Sequence, residues 1–449
     1  MALNPELRRY CWLELTPHRL IATPLIIGLI VMLVAATTDA PAEPLAITGL
    51  IGFAVGAALF GSYFALNAVT EEVRERTWDT QRMSALTPAG FAFGKVFGAP
   101  VYGWYAGAWC LVLYLFAGPR VHGADAVLIA AAAVCSTVAL HATSVLMSAV
   151  IARAGITRNT APGFFILILW SGALPWHMFE AGKGPLTWWG VALPQLWFVL
   201  VSAALFAFWA LLGAARTFAT ELRVRQLPWA WPAFCLYIAV WGGGLIEAKT
   251  GGRANALALV TLLFFLATGI GAYLMLLSER TGAMTVARVL RSLRGSRGEL
   301  EGGLRRALQE TPVWSVSLAC AWAAAILLLA LPWGRGGAAL MNQIAGDGKV
   351  MPLALAAMLL RDAGIYCIFA LARFPRRAAT VTLVYIALLD AVLPLLMAAA
   401  GMETLAFLVF PLGRASASGA LVIFAAHAAI AWTIAVMRWR AGQKLDLAT

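Results

Sequence analysis

The chain has 449 residues, of which 62% are hydrophobic and only 12% charged, against about 45–50% and 25% in a soluble domain. So few charged side chains cannot cover a folded chain of this size in water, which excludes a soluble enzyme. The net charge of +12 does not point to nucleic acid either, because no basic face interleaved with aromatics accompanies it.

A membrane-crossing helix needs about 20 mostly apolar residues. In chain order that rule predicts spans near 20–36, 45–67, 96–117, 124–150, 161–179 and 190–213. A second set follows near 229–246, 254–277, 313–333, 350–372, 378–400 and 416–437. The expectation is an all-α polytopic membrane protein of about twelve spans in two six-helix halves, 1–215 and 216–449. An amphipathic stretch, Leu7 to Leu20, leads into the first span. Glu6, Arg8, Arg9 and Glu14 precede it without a small-residue cleavage site, so no cleavable signal is expected.

Charge in the loops sets the orientation. With a cytoplasmic N-terminus, the inner segments hold Arg8, Arg9, Arg74, Arg76, Arg82, Arg153, Arg216, Arg291, Arg294, Arg376, Arg438 and most other basic residues. The outer segments hold only Arg120, Lys183, Lys249, Arg253, Arg335 and Lys349. Both termini are therefore expected in the cytoplasm. Trp176, Trp188, Trp189, Trp229, Trp314, Trp333 and Trp439 fall toward span ends, as interfacial anchors do. Cys11, Cys110, Cys135, Cys235, Cys320 and Cys367 show no metal-binding spacing and read as small buried hydrophobes. The segments GSYFAL (61–66) and GAYLML (271–276) hint at a degenerate duplication of the two halves.

Between the second and third spans lies the stretch 71–95, EEVRERTWDTQRMSALTPAGFAFGK. Through Leu86 it reads as a charged helix, with Glu71 and Glu72 in the first turn and Glu72 and Arg76 at i,i+4. Thr87-Pro88 stops the helix, since a residue before proline avoids the helical region. A second short segment, Ala89 to Lys95, leads back to the membrane. By composition alone this is a solvated hairpin with its charges in water.

The acidic pair, Thr77-Trp78-Asp79, Arg82, Leu86-Thr87-Pro88, Phe91 and Gly94-Lys95 resemble the cytoplasmic loop of type-2 ATP-binding-cassette exporter permeases. The resemblance implies a coupling element that docks on a separate ATP-binding subunit, which would hold ATP and Mg. It also implies a second permease chain, identical or related, a bacterial inner-membrane location, and an N-terminal connecting helix over Leu7 to Leu20. No cofactor is expected in this chain. GFAFGK (90–95) is one residue short of a phosphate-cradling loop and is followed by Val96 in place of Ser or Thr. The corresponding loop of the second half, Ser278 to Pro312, is longer and basic and lacks the Leu-Thr-Pro and Gly-Lys elements.

Charged groups inside spans are costly and usually pair or face a cavity. Arg361 and Asp390 lie at similar sequence distances on either side of Pro375, about 21 Å from the shared turn at 1.5 Å per residue. They are expected at one depth on neighbouring antiparallel helices, as an ion pair first and a substrate or proton site second. His141 and His427 read as core histidines, and Asn67 as a hydrogen-bonding group between helices. Two other functions stay open: an ion-gradient-driven transporter with Asp390 as coupling residue, and a polytopic enzyme acting on lipid-linked substrates. No convergent catalytic cluster supports the latter.

Overall fold

The computed structural model describes residues 4–84, 86–154, 185–250, 255–279, 282–294, 300–333, 349–371, 377–411 and 416–446. Among these, ten helices are long and apolar enough to cross a membrane: Pro17–Thr37, Ala42–Arg74, Asp125–Arg153, Gln195–Glu221, Ala230–Glu247, Ala256–Ser278, Val313–Ala330, Met351–Ala370, Ala378–Ala399 and Ala417–Ala441. Pro88–Gly98 and Val101–Ala117 together make an eleventh if they count as one span bent by 55°. The protein is a polytopic, overwhelmingly helical membrane protein. The expected span at 161–179 lies outside the described residues.

Two short strands, Leu186–Trp188 and Val191–Leu193, depart from the all-α expectation. Trp189 and Gly190, both at positive φ, turn the chain between them, as a tight two-residue hairpin turn requires. Trp188 and Trp189 donate their indole N–H groups to the carbonyls of Trp241 and Val240, at 3.0 and 3.1 Å. They therefore hold the hairpin against the middle of the helix Ala230–Thr250.

The chain forms two compact units, Met1–Leu186 with Ala192–Gln226, and Thr187–Val191 with Leu227–Thr449. The first keeps the whole of the helix Gln195–Glu221, so its edge falls later than the 215/216 division read from hydropathy. In this unit the helix Val101–Ala117 packs closely on the run Ala42–Phe53 and its π-helical continuation Ala54–Phe60. A side chain at Gly103 would come within 2.8 Å of the Gly56 carbonyl, so only a missing Cβ permits this approach. Lipid gives helices no hydrophobic reason to associate, and close backbone contact through small residues supplies the attraction instead. Ala57 shares its carbonyl with His141 Nε2 at 2.8 Å, and the ring meets Trp104 edge-on. His141 is a packed core residue.

The second unit centres on Ala256–Ser278, Val313–Ala330, Met351–Ala370 and Ala417–Asp446. Its buried positions are largely alanine, with Leu262, Leu328 and Phe424 filling the spaces between. Single side-chain bonds lock neighbours together. Ser317 donates to the Thr268 carbonyl at 2.7 Å and accepts from Trp231, while Trp432 donates to the Leu360 carbonyl at 3.0 Å.

Candidate functional site

The segment 71–95 is not the single charged helix expected from its pattern. It forms two one-turn helices, Thr70–Arg74 and Trp78–Arg82, followed by Pro88–Gly98. The break is a Schellman cap: Thr77 N–H bonds to the Glu72 carbonyl at 2.9 Å, Arg76 N–H bonds to Val73, and Arg76 sits at φ 61°. That turn satisfies carbonyls a helix end would leave open. It also swings Arg76 away from Glu72, so the expected i,i+4 pair does not form. Thr87 behaves as the Thr-Pro pattern requires. Its hydroxyl accepts from Gly90 N–H at 3.1 Å and Pro88 occupies the first helical turn, where a missing N–H costs nothing.

Glu72 is the larger correction. Its side chain was expected in water, yet the residue is only 5% exposed. Its carboxylate accepts from Arg9 at 2.6 Å, from Gln81 at 2.7 Å and from Lys95 at 2.6 Å. Lys95 is fully buried and reaches Glu6 as well, at 3.1 Å, while Glu6 also pairs with Arg9 at 2.8 Å. Two carboxylates and two cations thus form a closed, electrically neutral quartet. Burial, with the negative charges of Glu72 and Glu6, pushes the Tyr10 phenol well above its ordinary pKa, so it stays neutral beside them. Burial works against the charge of Arg9, but its hydrogen bond to Glu6 and the nearby carboxylates hold its pKa above the ordinary value.

Glu6 and Arg9 come from a separate N-terminal helix, Pro5–Glu14, capped by Asn4, whose side chain accepts from Glu6 and Leu7 N–H. The amphipathic stretch expected over Leu7 to Leu20 is therefore divided at Leu15-Thr16, and Pro17–Thr37 begins a new helix. The N-terminal helix sits on a row of glycines. Asn4 donates to the Gly90 carbonyl at 2.7 Å, and a Cβ at Gly94 would lie 2.6 Å from that of Glu6. One at Gly98 would lie 2.7 Å from the Tyr10 ring. Gly90, Gly94 and Gly98 recur every fourth residue, and this small-residue repeat is a signal present in the sequence. It passes unnoticed when Gly94-Lys95 is read only as part of a loop motif.

The remaining residues of the segment divide between support and surface. Trp78 is buried against Phe91 and Phe218, with centroids 5.8 and 6.2 Å apart, and Leu86 packs on the same cluster. Arg82 donates to the Glu221 carbonyl at 3.0 Å, and Thr77 bonds back to the Glu72 carbonyl. Glu71 and Asp79 are exposed, Asp79 with 88% of its side chain in solvent, and Met83 beside it is 80% exposed. A groove of about 410 Å³, lined by Pro5, Glu6, Arg9, Gln81, Leu86 and Phe91 among others, opens next to the quartet. Of the charged positions in the permease-like pattern, Glu71, Asp79 and in part Arg82 face outward, while Glu72 and Lys95 do not.

In the second unit Arg361 Nη2 lies 2.8 Å from Asp390 Oδ2. Arg361 also bonds to Asp362 at 2.7 Å, and Asp362 accepts from the Tyr273 hydroxyl. The pair is thus a cluster of one cation and two carboxylates under the Phe424 ring, with Asp390 on a π-helical stretch, Leu388–Val392. Tyr273 was not foreseen, because nothing in the sequence marks a tyrosine in one span as the partner of an aspartate in another. Among the described residues no group of His, Cys, Asp and Glu could hold a metal ion.

The geometry defines a multi-pass helical membrane protein with one charge-knit segment built from its N-terminal helix and the 71–95 stretch. Comparison with known protein families, characterised proteins and solved structures gives no match.

Proposed function

We propose that this chain is the membrane-spanning permease of an ATP-driven exporter of the ATP-binding-cassette type, working with a separate ATP-binding subunit. The observation that carries the reading is the buried quartet Glu6, Arg9, Glu72 and Lys95. A solvated connector has no need of two fully engaged ion pairs behind it. A segment that must transmit force does need a stiff mount, and here an exposed tip from Asp79 to Met83 is fixed to the N-terminal helix and to the span that follows Lys95. Closure of the partner's nucleotide site against that tip would then move helices as rigid bodies.

On this reading the chain crosses a bacterial inner membrane twelve times, with both termini in the cytoplasm. ATP and Mg belong to the partner, and a second permease chain completes the path. The Arg361, Asp362 and Asp390 cluster supports the second reading, a transporter driven by an ion gradient. The two separate cleanly: an exporter of the first kind stops when ATP is removed, and one of the second kind stops when the gradient collapses.

The direct test is co-purification with a candidate ATP-binding subunit and stimulation of its ATPase, scored at equal membrane abundance. Charge reversal at Asp79, which is exposed and among the described residues pairs only with Arg82, at 3.4 Å, should weaken both at least severalfold. Arg291→Ser in the second-half loop should leave both unchanged. Full coupling with Asp79 reversed, together with loss of coupling from Arg291→Ser, would rule out 71–95 as the coupling element.

A further inference from the structure

We propose that the two helices Ala283–Arg294 and Leu300–Glu310 form an in-plane anchor that binds the anionic headgroups of the lipid bilayer. Their position comes first. Glu279 closes the base of the segment: its carboxylate accepts from Val313 N–H at 3.3 Å and its carbonyl accepts from the Tyr366 hydroxyl at 2.8 Å. Both ends of the segment are therefore pinned at the same end of the helices Ala256–Ser278, Val313–Ala330 and Met351–Ala370. Three residues separate Glu279 from the first helix, which holds its start within about 14 Å of that point at full extension.

The composition of the first helix then selects its surroundings. Val286, Val289 and Leu290 share one helical face, Arg288 and Arg291 share another, and the helix carries Arg288, Arg291 and Arg294 without a single acidic residue. It is strongly two-sided but too polar to cross the bilayer, the pattern of a helix lying in the interface plane. The second helix packs on the first, tied by Arg288 to Glu310 at 3.3 Å, and leaves Leu304 and Leu308 exposed. Arg288 and Arg291 are exposed; beside its pairing with Glu310, Arg288 bonds back to the Met284 carbonyl, and Arg291 bonds back to the Ala287 carbonyl of the same helix.

Charge complementarity names the occupant. A run of arginines tethered at a span end already stands at the headgroup layer, and each such residue strengthens association with an anionic surface roughly fivefold. Long basic side chains also reach headgroups while the apolar side of their helix stays down. This assigns to the second-half loop a task different from that of 71–95, and it holds whether transport runs on ATP or on a gradient.

The test is hydrogen–deuterium exchange of the full-length protein in nanodiscs of phosphatidylcholine, alone or mixed with phosphatidylglycerol. The anionic lipid should slow exchange across 283–294 by about fivefold or more at low salt, and high salt should erase the difference. The double variant R288Q and R291Q should lose that protection while exchange across 351–370 stays as in the parent, which shows the fold intact. Equal exchange in the two bilayers overturns the proposal, as does lipid protection that survives in the double variant. Protection that appears only when an ATP-binding subunit is added, and equally in both bilayers, overturns it in favour of a protein interface.

Discussion

Lys95 has no solvent contact at all, and its ammonium group is shared between Glu6 and Glu72. Removing one member of a buried ion pair leaves an uncompensated charge, typically at a cost of about 3–5 kcal/mol. Lys95→Met should therefore lower the thermal midpoint of the purified protein clearly, and adding Glu72→Gln should recover part of the loss. Gly94→Ala should weaken the same unit through space instead of charge, since its Cβ would sit 2.6 Å from that of Glu6. Overpacking of that kind costs about 1–3 kcal/mol. Protease sensitivity at residues 5–14 reads out both changes, because both release the N-terminal helix. A Gly94→Ala protein with that helix still protected would mean the glycine row is not what seats it.

Helices and loops differ in how much of them the sequence announces. The spans are legible because hydropathy and length act on every residue of a window. The stop at Thr87-Pro88 and the pairing of Arg361 with Asp390 follow from local rules and arithmetic. The break at Arg76 was hidden, because a left-handed arginine carries no mark of its own where glycine would. The burial of Glu72 was hidden for another reason: its partners Arg9 and Lys95 are distant in sequence, and an acidic residue in a charged loop looks solvated until the N-terminal helix is laid beside it. The bond from Tyr273 to Asp362 was hidden in the same way, whereas Asp362 stands next to Arg361 in the chain and shares its charge. A change of Arg361 and Asp390 to leucine together removes the pair, yet it strips Asp362 of its cation as well. The double variant should then be less stable than Asp390→Ala alone, and adding Asp362→Asn should restore stability. Melting curves of the three proteins in one detergent decide it. If the double variant is instead the most stable of the three, Asp362 does not depend on Arg361.

For the molecule as a whole, parity is the sensitive quantity. Ten described helices, with the bent pair counted as one more, are long and apolar enough for eleven crossings, and eleven would leave the two termini on opposite sides of the membrane. The apolar run 161–179 is expected to supply the twelfth and bring them to the same side. The loop charges bear on the same point through residues close to this run, Arg153 and Arg158 before it and Lys183 after it. One crossing between them places the two arginines inside and the lone lysine outside, as the positive-inside rule prefers. Without it, Lys183 stays inside and every later loop changes sides, which carries the arginines of 278–312 to the outer face. Reporter fusions at Arg153 and Gly184 test this directly. Opposite sides, with a fusion after Asp446 on the side of Arg153, is the expected result. The same side at Arg153 and Gly184 would remove the twelfth span, put the C-terminus outside and place the basic helical pair 283–310 on the face away from the 71–95 segment.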